Sequence, residues 1–176
     1  MQIRLKRCYM LAVGSLVLSC PLSVSAQPRA TFDYVEYAGL DETPPTPEGF
    51  YRNPVLPGFQ PDPSIVRVGD DFYAVNSTFV WFPGLPIYQS RDLVHWKQIG
   101  NAIDRPGQMD FSGLATDRGL FAPAISYHDG RFWIVNTCIE CGDNFVITAE
   151  HPEGPWSDPS WLDFGGIDPS LYFEGD

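Results

Sequence analysis

The hydrophobic pattern of this chain occurs twice along the sequence. "DPSIVRVGDDFYAVNST", which begins at Asp62, aligns without a gap on "APAISYHDGRFWIVNTC", which begins at Ala122. In each copy a short apolar run is followed by a Gly/Asp pair and then by a second run rich in aromatic and β-branched residues. This pattern predicts two β-hairpins, with turns at Gly69-Asp70 and Asp129-Gly130.

A second landmark gives the same repeat length. "LPIYQSRDLVHWKQIG" corresponds to "NFVITAEHPEGPWSDP", and in each a strand-like run is followed by a polar turn and a Trp. Trp96 and Trp156 are 60 residues apart, as are Asp62 and Ala122. Each unit therefore holds about four strands, which is the content of one blade of a β-propeller.

A third unit begins at Asp168, with the phrase "DPSLYFEGD". We therefore predict an all-β propeller of which two blades and the first strand of a third are present. Because a propeller needs at least four blades to close its ring, we expect this sequence to be part of a longer protein.

The N-terminal residues have the features of a secretory signal peptide. An apolar run over residues 9–18 follows three basic side chains, and Ser25-Ala26 supplies small residues for cleavage. The run is too short to span a bilayer. We predict a signal peptide over residues 1–26 and a secreted or periplasmic product; the alternative is a lipoprotein acylated at Cys20 of "LVLSC".

A Pro-rich segment separates the predicted leader from the repeats. Residues 27–50 contain "DETPPTPEG", which has nothing to pack and is typical of a linker. The catalytic unit is predicted to cover residues 51–176.

The charge of the chain limits its partners. The formal net charge is −11, and removal of the three basic residues of the leader would bring it to −14. Such a surface repels phosphate backbones and anionic lipid headgroups, so we expect neither nucleic acid nor membrane insertion. A neutral substrate fits better.

Two cysteines remain after the leader, in "NTCIECGDN". A zinc site would need a second pair of Cys or His at ligand spacing, and a thioredoxin-type motif would need a βαβ setting. Neither is found in the sequence, so Cys138 and Cys141 are predicted to form a local disulfide or to remain free thiols. The three histidines lie beside turns, outside any metal-binding spacing, and we expect neither a metal nor a cofactor.

The repeat places two acidic residues at equivalent positions. Asp62, Ala122 and Asp168 each precede the first strand of a unit, where the strand starts of a propeller surround one channel. An Asp-Pro pair can serve as a simple turn in which the carboxylate accepts hydrogen bonds from backbone N–H groups. Since the second unit makes the same start with Ala122, the geometry does not require a carboxylate. Two acids at one channel mouth are what carboxylate-based hydrolysis needs.

Several long phrases resemble a known family. "NPVLPGFQPDPSIVRVGDDFYAVNSTFVWFPGLPIYQSRDLVHW", "GLFAPAISYHDGRFWIV", "GPWSDP" and "GIDPSLYF" are similar, in order and spacing, to the start of glycoside hydrolase family 43, particularly its β-xylosidases and α-L-arabinofuranosidases. The resemblance covers residues 51–176. It implies a five-bladed β-propeller that hydrolyses glycosidic bonds with inversion.

The resemblance also implies roles for individual residues. Asp62 would be the general base, and Asp168 the residue that raises the pKa of the general acid and orients it. The acid itself would be a Glu of a later blade, outside these residues. Inverting enzymes hold base and acid roughly 6.5–9.5 Å apart so that a water fits between them.

A sugar pocket needs aromatic walls, because the C–H faces of a sugar ring are apolar. By resemblance Phe79 lines the subsite next to the scissile bond, and Phe121 faces it from the second blade. Trp81 of "NSTFVWFPG" is a further candidate. The alternative for each is an aromatic that packs inside a blade.

Three kinds of function remain open. The first is hydrolysis of xylose- or arabinose-containing plant glycans. The second is a propeller that binds carbohydrate without cutting it, against which the paired Asp62 and Asp168 argue. The third is a retaining hydrolase of the invertase kind, with Asp62 as covalent nucleophile; it should show an Asn-Asp-Pro-Asn-like phrase, which "QPDPSI" lacks.

Overall fold

A computed structural model describes residues 45–175. Its regular structure consists of β-strands arranged in two antiparallel sheets. The first sheet contains, in spatial order, β1 (Ser64–Val68), β2 (Asp71–Val75), β3 (Gly84–Ser90) and β4 (Lys97–Ile103). This four-stranded meander confirms the predicted content of the first repeat.

The second sheet repeats the arrangement and adds one strand. Its strands are β5 (Gly119–Leu120), β6 (Ala124–His128), β7 (Arg131–Ile139), β8 (Asp143–Ala149) and β9 (Ser160–Trp161). β6 and β5 both pair with β7, on the edge opposite β8. The sequence repeat did not predict β5, because a two-residue strand has no recognisable alternation.

The two predicted hairpins are confirmed. Val68 pairs with Asp71 and His128 with Arg131, so each loop has two residues. In the second loop Asp129 and Gly130 have φ of 49° and 72°. Positive φ at both central residues is the type I′ geometry, whose twist matches that of the flanking strands.

The core lies between the two sheets. One hydrophobic cluster contains buried side chains of both, and its members include Val75, Ile87, Ile103, Ile134 and Phe145. Tyr73 of β2 meets Phe132 of β7 edge to face, with ring centroids 5.1 Å apart. Burying each large apolar side chain stabilises the fold by about 1.5–3 kcal/mol, so the sheets form one packed unit.

The predicted strand of the third repeat is not formed in this structure. Residues 168–175 form no strand hydrogen bonds with the other described residues. Phe173 instead stacks on His128 with ring centroids 4.2 Å apart. His128 is half-buried in this structure.

The two cysteines form a disulfide across the β7–β8 turn. Cys138 is the buried last-but-one residue of β7, and its Cα lies 5.3 Å from that of Cys141. Of the two predicted alternatives, the local disulfide is the one observed.

The predicted signal peptide, the alternative acylation at Cys20 and most of the predicted linker lie outside the described residues. Within residues 45–175 there is no helix whose length and apolar character would let it cross a membrane.

Candidate active site

The chain approaches β1 through a tightly held Asp-Pro pair. The carbonyl oxygen of Pro61 accepts hydrogen bonds from Asn76 Nδ2 at 3.1 Å and from the backbone N–H of Ser77 at 3.2 Å. Both donors follow directly after β2 and are buried. The backbone before Asp62 is therefore fixed from inside the sheet, which determines where this carboxylate projects.

Among residues 45–175, the carboxylate of Asp62 has one side-chain partner. The hydroxyl of Ser77 donates to its Oδ2, while Asp62 itself is exposed. A hydrogen bond from a buried donor leaves the carboxylate little freedom to rotate, and its remaining lone pairs stay accessible to a water or a substrate. Sequence reasoning missed Ser77, although a hydroxyl residue follows Val-Asn in both repeats, as Ser77 and Thr137.

Asp62 and Asp168 share an uncommon backbone conformation. Their φ angles are 51° and 56°, in the left-handed region. Asp tolerates this region better than most residues, but a following proline disfavours compact conformations, so each position stores strain. Ala122 is not among the described residues with positive φ. The conformation therefore accompanies the acid and is not common to all three strand starts.

The carboxylate of Asp168 is held by fewer interactions than that of Asp62. It is exposed, and among residues 45–175 no hydrogen bond or ion pair reaches its carboxylate. No bond joins it to Asp62. Among the described residues, the Asp62 carboxylate is therefore fixed by a hydrogen bond and the Asp168 carboxylate is not.

Phe79 and Phe121 face each other. Their ring centroids are 5.5 Å apart at an interplanar angle of 69°. An isolated β-bridge causes the approach: Phe79 N donates to Leu120 O at 2.9 Å, and Leu120 N donates to Phe79 O at 3.0 Å. The bridge links the loop after β2 to the short strand β5, so residues 42 positions apart line one wall.

The bridge requires a glycine beside it. Gly119 has φ of 91°, and a Cβ at this position would lie 2.6 Å from the carbonyl oxygen of Phe79. Any larger residue would push the two loops apart. Gly119 therefore keeps the Phe79–Phe121 wall closed.

A third aromatic residue extends this wall. The ring of Phe59 lies 6.0 Å from that of Phe79, and Phe59 and Trp81 are 68% and 66% exposed. Together with Thr78 and Thr116 they line an open depression of about 570 Å³. Sequence reasoning named Trp81 but missed Phe59 and Thr116, because neither lies in the repeated part of the pattern.

An exposed carboxylate held by Ser77, and an aromatic wall that begins two residues after Ser77 at Phe79, are features of the sites that carbohydrate-active enzymes present. The family profile described as "Glycosyl hydrolases family 43" matches residues 51–176. The chain belongs to this family.

Individual relatives agree with this assignment. A "Xylosidase/arabinosidase" of Butyrivibrio fibrisolvens is 52% identical over 128 residues, which cover 71% of this chain and 25% of that protein. A "Non-reducing end alpha-L-arabinofuranosidase" of Bacteroides ovatus is 50% identical over 127 residues, covering 70% of this chain and 24% of the relative.

Solved structures are similar as well. The "Xyloglucan PUL GH43B" of Bacteroides ovatus has a TM-score of 0.68 at 49% identity, over 70% of this chain and 25% of that one. A "xylan beta-1,4-xylosidase" from Bacillus halodurans has a TM-score of 0.67 at 47% identity, over 71% and 25%. The present chain thus spans about a quarter of the length of the relatives that it matches.

Proposed function

We propose that the protein is a glycoside hydrolase that removes xylose or arabinose units from plant glycans with inversion of configuration. The observation that carries the proposal is the exposed Asp62 carboxylate, oriented by Ser77 and preceded by a backbone carbonyl fixed by Asn76. A purely structural Asp-Pro turn would use its carboxylate to satisfy backbone N–H groups. The carboxylate of Asp62 instead accepts from a side-chain hydroxyl and faces solvent.

The aromatic wall supports a neutral sugar as substrate. The faces of Phe79 and Phe121 are apolar, and the exposed rings of Phe59 and Trp81 continue them outward. Sugar rings stack on such surfaces through their C–H faces. The names of the relatives, which mention xylosidases and arabinofuranosidases, favour pentose glycans within this class.

In the proposed reaction Asp62 is the general base. It takes a proton from a water molecule while the water oxygen forms a bond to the anomeric carbon. The bond from that carbon to the leaving oxygen breaks, and the leaving oxygen receives a proton from a general acid. Attack from the face opposite the leaving group inverts the anomeric centre.

The general acid is proposed to lie outside these 176 residues. The support is the length of the relatives, of which this chain matches about a quarter, and the family resemblance, which assigns the acid to a Glu of a later blade. Asp168 would stand near this acid, where its negative charge would raise the pKa of the acid and keep it protonated. On the same basis we propose the five-bladed propeller and, from the leader-like residues 1–26, a secreted or periplasmic location.

The decisive experiment uses the complete gene product that carries this sequence. It is incubated with an aryl β-xyloside and, separately, with an aryl α-L-arabinofuranoside, and proton NMR identifies the anomer that forms first. The proposal expects hydrolysis of at least one substrate and an inverted first product. A retained anomer would instead support the invertase-like alternative with Asp62 as nucleophile. Saturable sugar binding without turnover would support a carbohydrate-binding propeller.

A further inference from the structure

Residues 163–168, a segment that ends at Asp168, are hydrogen-bonded to the rest of the described fold through one residue. Within residues 45–175 their only hydrogen bonds come from the side-chain amide of Asn144, whose Nδ2 donates to Phe164 O at 3.0 Å and to Gly166 O at 3.4 Å. Just before them, Leu162 N donates to the backbone oxygen of Asn144 at 2.8 Å. One residue of β8 thus holds the whole segment.

The orientation of this amide is fixed from behind. Asn144 is 1% exposed, and its Oδ1 accepts from the hydroxyl of Thr137 at 2.6 Å. Carbonyl oxygens only accept hydrogen bonds, so the NH₂ group of Asn144 must face Phe164 and Gly166, and the oxygen must face Thr137. The hydroxyl of Thr137 therefore selects the orientation in which Asn144 can hold the segment.

The first sheet shows that packing does not demand a polar residue here. The pairing of Val75 with Ile87 corresponds to that of Val135 with Val146, which makes Leu85 the counterpart of Asn144. Leu85 is completely buried and apolar. A buried amide costs free energy unless it is hydrogen-bonded, so its presence in the second sheet needs a reason that is special to that sheet.

We infer that Asn144, oriented by Thr137, is a positioning residue for Asp168. Asp168 itself has no partner within the described residues, so its location depends on the segment that precedes it. In the first sheet the hydroxyl of Ser77 holds Asp62 directly. In the second sheet the equivalent hydroxyl, on Thr137, acts through Asn144 on the acid that opens the next repeat. This inference rests on the proposed role of Asp168.

The test compares Asn144→Leu, Thr137→Val and Thr137→Ser in the complete gene product. Asn144→Leu installs the residue of the first sheet, Thr137→Val removes only the hydroxyl, and Thr137→Ser keeps it. The control is Ile147→Val, a buried change in β8 that opens a small cavity on the face of the strand opposite Asn144. Asp168→Asn provides the reference for complete loss of the charge.

Displacing Asp168 would weaken its repulsion of the ionised acid, so the pKa of the acid would fall. We expect Asn144→Leu to lower kcat/KM about tenfold or more and to move the alkaline limb of its pH profile down by roughly 0.5–1 pH unit. Thr137→Val should lower kcat/KM and shift the alkaline limb in the same direction, but by smaller amounts. Thr137→Ser, which keeps the hydroxyl, should leave kcat/KM and the alkaline limb close to their wild-type values. Ile147→Val should lower the melting temperature and leave the limb in place.

A second measurement does not depend on activity. Phe164 is exposed, so chymotrypsin can cut after it once the segment loosens. Peptide mapping should show cleavage at Phe164 several-fold faster in Asn144→Leu and Thr137→Val than in the wild type or Ile147→Val. If Asn144→Leu does not fold, Thr137→Val carries the test.

The outcomes distinguish failure of the positioning role of Asn144 from failure of the proposed role of Asp168. If Asp168→Asn moves the alkaline limb but Asn144→Leu and Thr137→Val only lower the melting temperature, the inference is overturned and the proposed function stands. If Asp168→Asn leaves the limb unchanged, the proposed role of Asp168 fails and the inference fails with it.

Discussion

The starts of the two sheets have the same framework and different chemistry. Asn76 donates to the carbonyl of Pro61 and, 60 residues later, Asn136 donates to the carbonyl of Phe121, at 3.1 and 2.6 Å. Both amides are buried, and in both the Oδ1 atom has no hydrogen-bond partner among the described residues. A half-paired amide is costly to bury. That the fold buries it twice, at one point of the repeat, indicates that this bond is part of the architecture.

The difference lies in the residues that follow. The first sheet has Asp62 with a positive φ and a hydroxyl bonded to its carboxylate, whereas the second has Ala122 and directs its hydroxyl to Asn144. The comparison separates what holds the strand start from what we propose performs chemistry there. Substitutions can change either the bonds that hold the strand start or the groups that we propose for the chemistry.

The largest effect is expected for Asp62→Asn. This variant keeps the size and framework of the first strand start and removes the proton acceptor, so kcat should fall by about 10²–10⁴ with the melting temperature and sugar binding nearly unchanged. Steady-state kinetics on an aryl glycoside and a melting curve measure both. Asp70→Asn, in the exposed turn of the same hairpin, is the control. Wild-type turnover in Asp62→Asn would remove Asp62 from the mechanism.

A smaller effect is expected when only the partner of Asp62 is removed. Ser77→Ala leaves the carboxylate free to rotate, and kcat should fall about tenfold through loss of positioning. Ser77→Thr, which installs the residue of the second sheet, should retain more activity than Ser77→Ala because it keeps the hydroxyl. Equal kcat values for these two variants would show that the hydroxyl does not matter.

The shared framework can be tested by matched substitutions. Asn76→Ala and Asn136→Ala each remove a buried hydrogen bond, so each should lower the free energy of unfolding by about 1–3 kcal/mol. Urea denaturation measures the loss. Of the two, Asn76→Ala should reduce kcat more, since it releases the backbone before Asp62, while Asn136→Ala should act mainly on KM through Phe121. The same kinetic defect in both variants would contradict the separation of framework and chemistry.

The smallest effect concerns a turn that the two sheets build differently. Between β3 and β4, the side chain of Asp92 accepts from the ring of His95 and from the backbone N–H groups of His95 and Val94, whereas the corresponding turn of the second sheet closes with a bond from Gly154 N to His151 O. The hydrogen bond from the His95 side chain, followed by the backbone bonds, holds the pKa of Asp92 well below its ordinary value.

The ionised form of Asp92 therefore stabilises the folded state. This contribution is complete above the ordinary pKa near 3.8 and is lost as the pH falls through the lower folded-state pKa. Asp92→Ala should thus lower the melting temperature slightly at pH 7, and the difference from wild type should shrink in acid. A difference that grows as the pH falls would rule this account out.

Much of the fold was predictable because it depends on neighbouring residues. The apolar, aromatic and β-branched runs of β1, β2, β6 and β7 and the Gly/Asp pairs between them specify both hairpins locally. The short strands β5 and β9 were not predictable, since two residues carry no period and their pairing is decided by distant segments. The segment after Asp168 resembles β1 in sequence but forms no strand among the described residues, since a strand also needs a neighbour to pair with.

The candidate site was predictable in part. The repeat singled out Asp62 and Asp168 as acids at equivalent positions, the resemblance added Phe79 and Phe121, and the phrase "NSTFVWFPG" added Trp81. Phe59 and Asn144 escaped notice because nothing in their local sequence marks them, and Ser77 is marked only by the comparison of the two repeats, in which a hydroxyl residue follows Val-Asn. Ser77 matters through a hydrogen bond to a residue 15 positions away, Asn144 through hydrogen bonds to residues 20 and 22 positions away, and Phe59 through a ring contact of 6.0 Å.

The sequence by itself determined the 60-residue repeat of the sheets, the hairpin turns and the chemical type of the groups at each strand start. These features follow from short-range backbone preferences and from side-chain identity. Only the tertiary structure decided which hydroxyl meets which carboxylate, that Gly119 lets Phe79 approach Phe121, and that Asn144 supports the segment before Asp168. Such contacts require packed sheets to bring distant residues within hydrogen-bonding range, and a hydrogen bond forms only over a few tenths of an ångström and a narrow range of angles.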